Sequence, residues 1–369
     1  MRKLILSLII LLSISLTAHA QSSPNSSSVT QNGNNQTATV NQSGGNQSST
    51  VVQTGGKANT ITIKQVNDVG SYPGPDASQT SNALQNGSNN MAVVQQHRIG
   101  TIIGYPSADL KQIGNGNRLS QKETSEGYDS EKATQIGNNN KGSQDFEHNY
   151  GNNFTLFQKG NKNNAKQMQS DGTAIAAQIK QVGNANTATE SYSGNNINSF
   201  NSNPYKLGIG IVQMGNNNMA HQTINSTITP FSNSYDHAVV YANGNGNTAS
   251  QNLTGKESSV RIKQYGNNNT STQTVNGDNN AASIIQKENG NTATLRQTSN
   301  GNMADFTQNG NNNTIHARQT MGGNNATLSQ MGNTNSISLH QDPGAWSKVI
   351  QNGNGNISNV TQQMGSNTP

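Results

Sequence analysis

Polar and apolar residues alternate strictly along the C-terminal third of the chain, and the alternation restarts at a fixed interval. Glutamine returns at Gln308, Gln319, Gln330 and Gln341, eleven residues apart each time. With the leading glutamine as position 0, Gly310 stands at +2, Asn313 at +5, Ile315 at +7, Ala317 at +9 and Gln319 at +11. The block from Gln330 gives Gly332, Asn335, Ile337, Leu339 and Gln341; the block from Gln297 gives Asn302, Ala304, Phe306 and Gln308. A period of two is that of a strand with one buried face. The residues between (Thr314, His316, Arg318; Ser336, Ser338, His340; Met303, Asp305, Thr307) are mostly polar, as an exposed face requires. Strands alternate with about four residues rich in Gly and Asn, which accept positive φ and make tight turns. These residues recur too often for a helix to persist.

Further blocks start at 242, 253, 264, 275 and 286, with Gly244, Gly255, Gly266 and Gly277 at +2. Here Gln251 and Gln273 stand at +9, and Leu253 and Val275 at +11, each pair twenty-two residues apart. Alternate blocks resemble each other, so the repeating unit is two strands. Upstream, Gln112, Gln135, Gln158 and Gln181 recur every twenty-three residues, each followed by glycine (Gly114, Gly137, Gly160, Gly183). In that region the first strand of each pair is clear and the second is degenerate. A unit of strand, turn, strand, turn over about 22 residues predicts an all-β fold, a two-sheet β-solenoid of stacked β-arches with cross-β-like spacing. Residues one unit apart then stack at ~4.8 Å. Like lies on like, so inward amides form hydrogen-bonded ladders that satisfy polar groups otherwise costly to bury.

The structural ladder is expected to comprise Gln85, Gln158, Gln181, Gln213, Gln264, Gln286, Gln297, Gln308, Gln319, Gln330 and Gln351. With them go the glycines Gly87, Gly160, Gly183, Gly215, Gly310 and Gly332, and the asparagines Asn90, Asn163, Asn186, Asn218, Asn313 and Asn335. One block, Gln341 to Gln351, is a residue short. Counted back from Gln351, Val349 and Ser347 face in and Ile350, Lys348 and Trp346 face out. The missing residue therefore falls in the turn Asp342-Pro343-Gly344, because a loss within the strand would reverse its faces. Breaks in the period near 66–83, 97–110, 191–210 and 223–241 read as insertions bulging from the arch ends, and their Tyr and Phe residues make them places for contacts with other molecules.

Composition narrows the class. Only 29% of the 369 residues are hydrophobic and 4% aromatic, too few for one large globular core. Charged residues are also few, at 11%, and the remainder is dominated by Asn, Gln, Ser, Thr and Gly, a composition prone to cross-β order. Residues 1–20 read as a secretory signal: Arg2 and Lys3, an apolar run from Leu4 to Leu16, then Ala18-His19-Ala20. That run is too short to span a bilayer. A short leader at 21–30, a repeat region at 31–362 and a tail at 363–369 complete the expected organisation. Loss of Arg2 and Lys3 lowers the formal charge from +5 to +3, and with no basic patch no nucleic-acid partner is expected. The chain has no cysteine, so an exported protein of this kind is held together without disulfides.

The assembled motif Gln-x-Gly-x-x-Asn-x-Ala resembles the curlin repeat. It stands at Gln85, Gly87, Asn90, Ala92 and Gln96; at Gln158, Gly160, Asn163, Ala165 and Gln169; at Gln181, Gly183, Asn186 and Ala188; and at Gln213, Gly215, Asn218 and Ala220. The resemblance covers most of the chain from Val29 to Gln362. It implies a structural subunit of curli-like functional amyloid, exported unfolded through an outer-membrane channel of a Gram-negative-type bacterium and polymerised at the cell surface. Its partners would be itself, other curlin subunits and the curli export and nucleation machinery, and its roles biofilm matrix and surface adhesion.

Other chemistries find little support. His97, His148, His221, His237, His316 and His340 are scattered without ligand spacing, and the Gly-Asn runs lack the helix and Lys-Ser or Lys-Thr pair of a phosphate loop. Glu123, Glu126, Asp129 and Glu131 read as a solvated turn in a degenerate half-repeat, and the repeats lack the aspartates of calcium-binding β-rolls. No catalytic residue, cofactor or metal is expected. The alternative is a non-polymerising secreted solenoid adhesin that binds polysaccharide or ice through outward Thr and Ser rows, suggested by Thr37/Thr39, Thr60/Thr62, Thr187/Thr189 and Thr292/Thr294. An ice-binding face would keep Thr in one column in nearly every rung.

Overall fold

A computed structural model describes residues 18–19, 25–68, 78–99, 104–125, 127–173, 175–193, 209–225 and 237–363. Most of the expected signal, the centres of the four insertions and the tail beyond Gln363 lie outside the described residues. The described chain contains no helix and forms two parallel sheets stacked as a β-solenoid of about 13 turns with a ~23-residue repeat. Fifteen strands make sheet I and fourteen make sheet II, and the chain visits them alternately. The step is 22 residues in the C-terminal half (Gln286 to Gln308), 23 farther up (Gln135 to Gln158), and 32 where an interruption intervenes (Gln181 to Gln213).

The alternation seen in the sequence places the core. In strand Met303–Asn309, Ala304, Phe306 and Gln308 are buried while Met303 and Asp305 are exposed. Ala282 pairs with Ala304, which pairs with Ala326; Ile284, Phe306 and Leu328 stack likewise, as do Gln286, Gln308 and Gln330. The core is therefore a ribbon two or three side chains wide that runs the length of the molecule. In the middle of the chain aromatic rings fill it: Phe146 of sheet I stacks on Phe154 of sheet II with centroids 3.8 Å apart.

The two edges of the solenoid differ. Turns from sheet II to sheet I are short and regular. Gly160, with φ near 119°, shows why glycine recurs there: a Cβ on it would meet the carbonyl oxygen of Gly183 at 2.0 Å. All four interruptions lie on the opposite edge, between a sheet I strand and the next sheet II strand. They separate Thr60–Asn67 from Gln79–Asn86, Met91–Arg98 from Ser107–Ile113, Thr187–Ser193 from Ile209–Met214, and Met219–Asn225 from His237–Asn243. These strands extend into the expected insertion ranges, so the interruptions are narrower than the lost period suggests. Register passes across them unchanged, as in Gln181 opposite Gln213.

The first long strand, Ser26–Asn34, starts within the segment set apart as a leader; its Val29 and Gln31 pair with Val51 and Gln53. Ala18–His19 pairs with Gln42–Ser43. Near the other end the shortened block keeps its faces: Ser347 and Gln351 are buried, Lys348 and Ile350 are exposed, and Trp346 is 63% exposed. The deletion lies in the turn before Trp346–Asn352, so Gln330 still pairs with Gln351.

The turn geometry makes a direct prediction. Gly160→Ala should destabilise the folded chain by more than ~1 kcal/mol, since both the positive φ and the approach of Gly183 exclude a methyl group. Guanidinium denaturation of the two proteins checks it; equal midpoints would contradict this account of the turn.

Candidate functional site: amide ladders and open sheet ends

The glutamines expected to form one ladder divide between the two sheets. Gln85, Gln158, Gln181, Gln213, Gln264, Gln286, Gln308, Gln330 and Gln351 occupy a single inward column of sheet II, together with Gln53, Gln112 and Gln135. Gln297 and Gln319 belong to sheet I, where they continue into Gln341 and Gln362. Gln158 and Gln308 each use both amide protons. Gln158 Nε2 donates to Gln181 Oε1 in the next rung (2.9 Å) and to the carbonyl of Lys141 in the facing sheet (2.8 Å). Gln308 does the same with Gln330 (3.0 Å) and the Thr292 carbonyl (3.0 Å). The ladder thus ties rung to rung and sheet to sheet, each bond contributing about 1 kcal/mol net.

Asn90, Asn163, Asn186, Asn218, Asn313 and Asn335 lie in one column that runs from Asn59 to Asn356 without a break. Asn163 Nδ2 donates back to Asn140 Oδ1 (3.2 Å) and forward to the Gly183 carbonyl (2.7 Å). Its own Oδ1 accepts the backbone and side-chain N–H groups of Asn186. The glycines Gly87, Gly160, Gly183, Gly215, Gly310 and Gly332 all lie on this edge at positive φ. The carbonyls of Gly87, Gly183, Gly215 and Gly332 are acceptors for Asn59, Asn163, Asn186 and Asn313. Glycine and asparagine are therefore two halves of one contact.

Sheet I carries a feature that the period alone did not reveal. Its amide column changes place twice. Gln42, Gln65 and Gln96 stack in the last inward position, ending on Glu123. From Gln121 the ladder runs one inward position earlier, through Gln144 and Gln167 to Glu190, and again from Gln222 through Gln251 to Gln273. It returns to the last position at Gln297. Where glutamine leaves a column, Phe146, Tyr192, Ile224, Leu253 or Val275 fills it. Each restart of a ladder after a break leaves one glutamine oxygen without a donor: Gln121, Gln222, Gln264 and Gln297, which follow Val94, Glu190, Ala242 and Val275. Gln169 lies between Phe146 and Tyr192 with neither amide atom bonded.

The acidic half-repeat is not a solvated turn. Glu123, Asp129 and Glu131 are buried, because counting back in twos from Gln135 leads through Ala133 to Glu131 and Asp129 on the inner face. Glu126 lies outside the described residues. Asp129 accepts hydrogen bonds from Ser125 Oγ and from the backbone N–H of Asn152 (2.8 Å). Burial, reinforced by the charge of Asp129, pushes the Glu123 carboxyl well above the ordinary carboxylate range; burial and the charges of Glu123, Asp129 and Asp145 do the same to Glu131. Among the described residues no group of three His, Asp or Glu side chains is arranged to hold a metal ion.

The Thr-x-Thr pairs share two outer columns of sheet I, Thr37 over Thr60 and Thr39 over Thr62. Those columns continue through Met91 and Val93, Arg118 and Ser120, Lys141 and Ser143, and Asn164 and Lys166 before threonine returns at Thr187 and Thr189. The hydroxyl rows are interrupted over several rungs.

The family model for the curlin associated repeat matches residues 255–287. That segment holds the strands Ser259–Tyr265, Thr270–Asn276 and Ala281–Lys287, one turn and a half of the solenoid. No curated protein matches the chain.

Two substitutions test the ladder in opposite senses. Ala242→Gln should join Gln213 to Gln264 and stabilise the fold by about 1 kcal/mol. Gln169→Leu should stabilise it by roughly 1–3 kcal/mol, since it removes a buried amide that has no partner. Denaturation midpoints report both; destabilisation by both would contradict the ladder account.

Proposed function

We propose that this chain, which carries a curlin associated repeat at residues 255–287, is a structural and non-enzymatic subunit of an extracellular curli-like amyloid fibre. The observation that carries this reading is the complementarity of the two ends. Gln amides donate towards the C-terminal rungs, so the end of the sheet I ladder presents a donor: Gln362 Nε2 bonds only the Trp346 carbonyl (2.8 Å) and keeps a second N–H. At the other end Gln31 Oε1 accepts from no described residue, and Gln42 would join it at a free edge once residues 1–20 are removed. A second copy added head to tail continues both sheets and both ladders. Open parallel edges of this kind template further pairing.

The family resemblance supports the remainder. The subunit is exported unfolded from a Gram-negative-type cell, meets its nucleation machinery and other curlin subunits at the surface, and serves biofilm matrix and adhesion. Absence of cysteine suits passage as an unfolded thread. The interrupted threonine columns favour the fibre over the polysaccharide- or ice-binding reading.

Dilution of the chain from Gln21 out of denaturant should give a lag and then growth in thioflavin fluorescence, with fibre reflections near ~4.7 and ~10 Å. A soluble β-rich monomer that never polymerises would overturn the proposal and leave the surface-binding solenoid. A finer test uses the free edge. In sheet I, Ser336 and Asp342 donate their N–H groups forward to the carbonyls of Asn356 and Gln362. By the same alternation, Asn359 and Thr361 direct theirs beyond the last strand, Ile357–Gln362. The double variant Asn359→Pro, Thr361→Pro should fold yet fail to elongate, because proline removes these donors without taking one from the preceding strand. Elongation at the wild-type rate would contradict growth through this edge.

A further inference from the structure

Glu190 stands where the ladder calls for glutamine. It lies in strand Thr187–Ser193, between Gln167 in the preceding rung and Gln222 in the next. Gln167 Nε2 donates to Glu190 Oε2 at 3.0 Å, as it would to a glutamine carbonyl. Glu190 Oε1 therefore takes the place of the amide nitrogen. It has no hydrogen-bond partner, and neither does Gln222 Oε1, the next acceptor in the column. Both side chains are wholly buried. Two buried acceptors in succession with no hydrogen bond between them leave both polar groups unmatched, a costly arrangement.

One proton resolves it. A carboxylic acid has the shape of a carboxamide, accepting with one oxygen and donating through the other. We propose that Glu190 is a proton-binding position of the ladder: its neutral acid stands in for glutamine and donates through Oε1 to Gln222 Oε1, so folding of this rung takes up one proton. No bond other than O–H forms, and the proton comes from solvent.

The surroundings hold no competing charge. Tyr192, two residues along and buried, is the one titratable group on the same inward face of the strand. The sheet I neighbours contribute Gln167 and Gln222. The facing strands Ala176–Val182 and Ile209–Met214 direct Ala177, Ile179 and Gln181, and Ile209, Ile211 and Gln213, into the core. Lys166, Lys180 and His221 on these elements point outward by the strand alternation. Burial pushes the Glu190 carboxyl up to about 8 from 4.5, against the opposing pull of Gln167, the Tyr192 hydroxyl and the Ile211 backbone.

The sign follows from that direction. Below the ordinary value folded and unfolded chains both hold the proton, and the contribution to stability is complete. As pH rises from 4.5 towards about 8, the unfolded chain releases a proton that the folded chain keeps. The folding equilibrium then weakens up to tenfold per pH unit. Above that window the loss is complete.

The test compares the chain from Gln21 with its Glu190→Gln variant by guanidinium denaturation across this pH range. It is paired with the infrared carbonyl band of protonated carboxylic acid at neutral pH. The wild type should lose stability more steeply than the variant, the ratio of their folding constants widening by up to tenfold per pH unit, and the band should diminish in the variant. Glu123, Asp129 and Glu131 are present in both proteins and cancel. Tyr192→Phe should leave the difference in place. Equal pH slopes, or an unchanged infrared band, would overturn the proposal. The ladder closes within one chain, so the measurement reads the folded solenoid whether or not it polymerises and does not depend on the fibre reading.

Discussion

A primary amide buried in a β-structure needs partners for two donors and an acceptor, and in a parallel in-register stack another amide directly above or below supplies them best. Most of this molecule follows from that requirement. It fixes the step between rungs, because a shift of one residue would set every glutamine against the outer face. It explains the coupling of glycine and asparagine at the regular edge: Gly183 must come close enough for its carbonyl to receive Asn163, and a Cβ on Gly160 would occupy that approach. It also gives the stack a direction, since glutamine N–H groups point towards the C-terminal rungs throughout. An end that offers donors and an end that offers acceptors are the physical basis for assembly by addition of like copies.

The same requirement shows what the fold tolerates. A ladder can stop, change columns and begin again, provided the vacated column is filled by aliphatic or aromatic side chains of similar bulk. Phe146, Tyr192 and Leu253 do this in the middle of sheet I. Each restart leaves an oxygen unmatched, at Gln121, Gln222, Gln264 and Gln297, and a chain of about 13 turns absorbs these few losses because every other rung contributes its own bonds. Repeat architectures add stability rung by rung in this way. The buried carboxyls belong to the same logic. At Glu123 and Glu190 the acid occupies a ladder position and accepts from the preceding glutamine, while burial pushes its carboxyl towards the neutral form.

Much of this was legible in the amino-acid pattern, and the misses have physical causes. The alternation after Ala242 places Phe306 inside, Asp305 outside and Trp346 on the surface, and the short turn at Asp342-Pro343-Gly344 could be located because a strand deletion would have inverted the faces of Val349 and Ile350. Two columns of amides in sheet I were harder to see. Glutamines at different block positions look like degeneracy until it is clear that Gln121, Gln144 and Gln167 stack on one another and on Glu190 in a column of their own. Charge misled the reading at Glu131 and Asp129. Carboxylates suggest water, yet their parity relative to Gln135 points inward, and parity was the better guide. The concentration of all four interruptions on one edge follows from which strands they separate, which spacing alone does not reveal.

The central claim is that the buried amides form continuous ladders and hold the rungs together. Side-chain hydrogen exchange tests it most directly. In the folded chain the Nε2 protons of Gln158, Gln286 and Gln308 and the Nδ2 protons of Asn163 and Asn313 should exchange as slowly as the backbone amides of their strands. The exposed asparagine side chains of the turns, such as Asn268 and Asn312, should exchange far faster. Fast exchange of the buried glutamine and asparagine amides alongside protected backbone would show sheets held by main-chain bonds alone and would contradict the account.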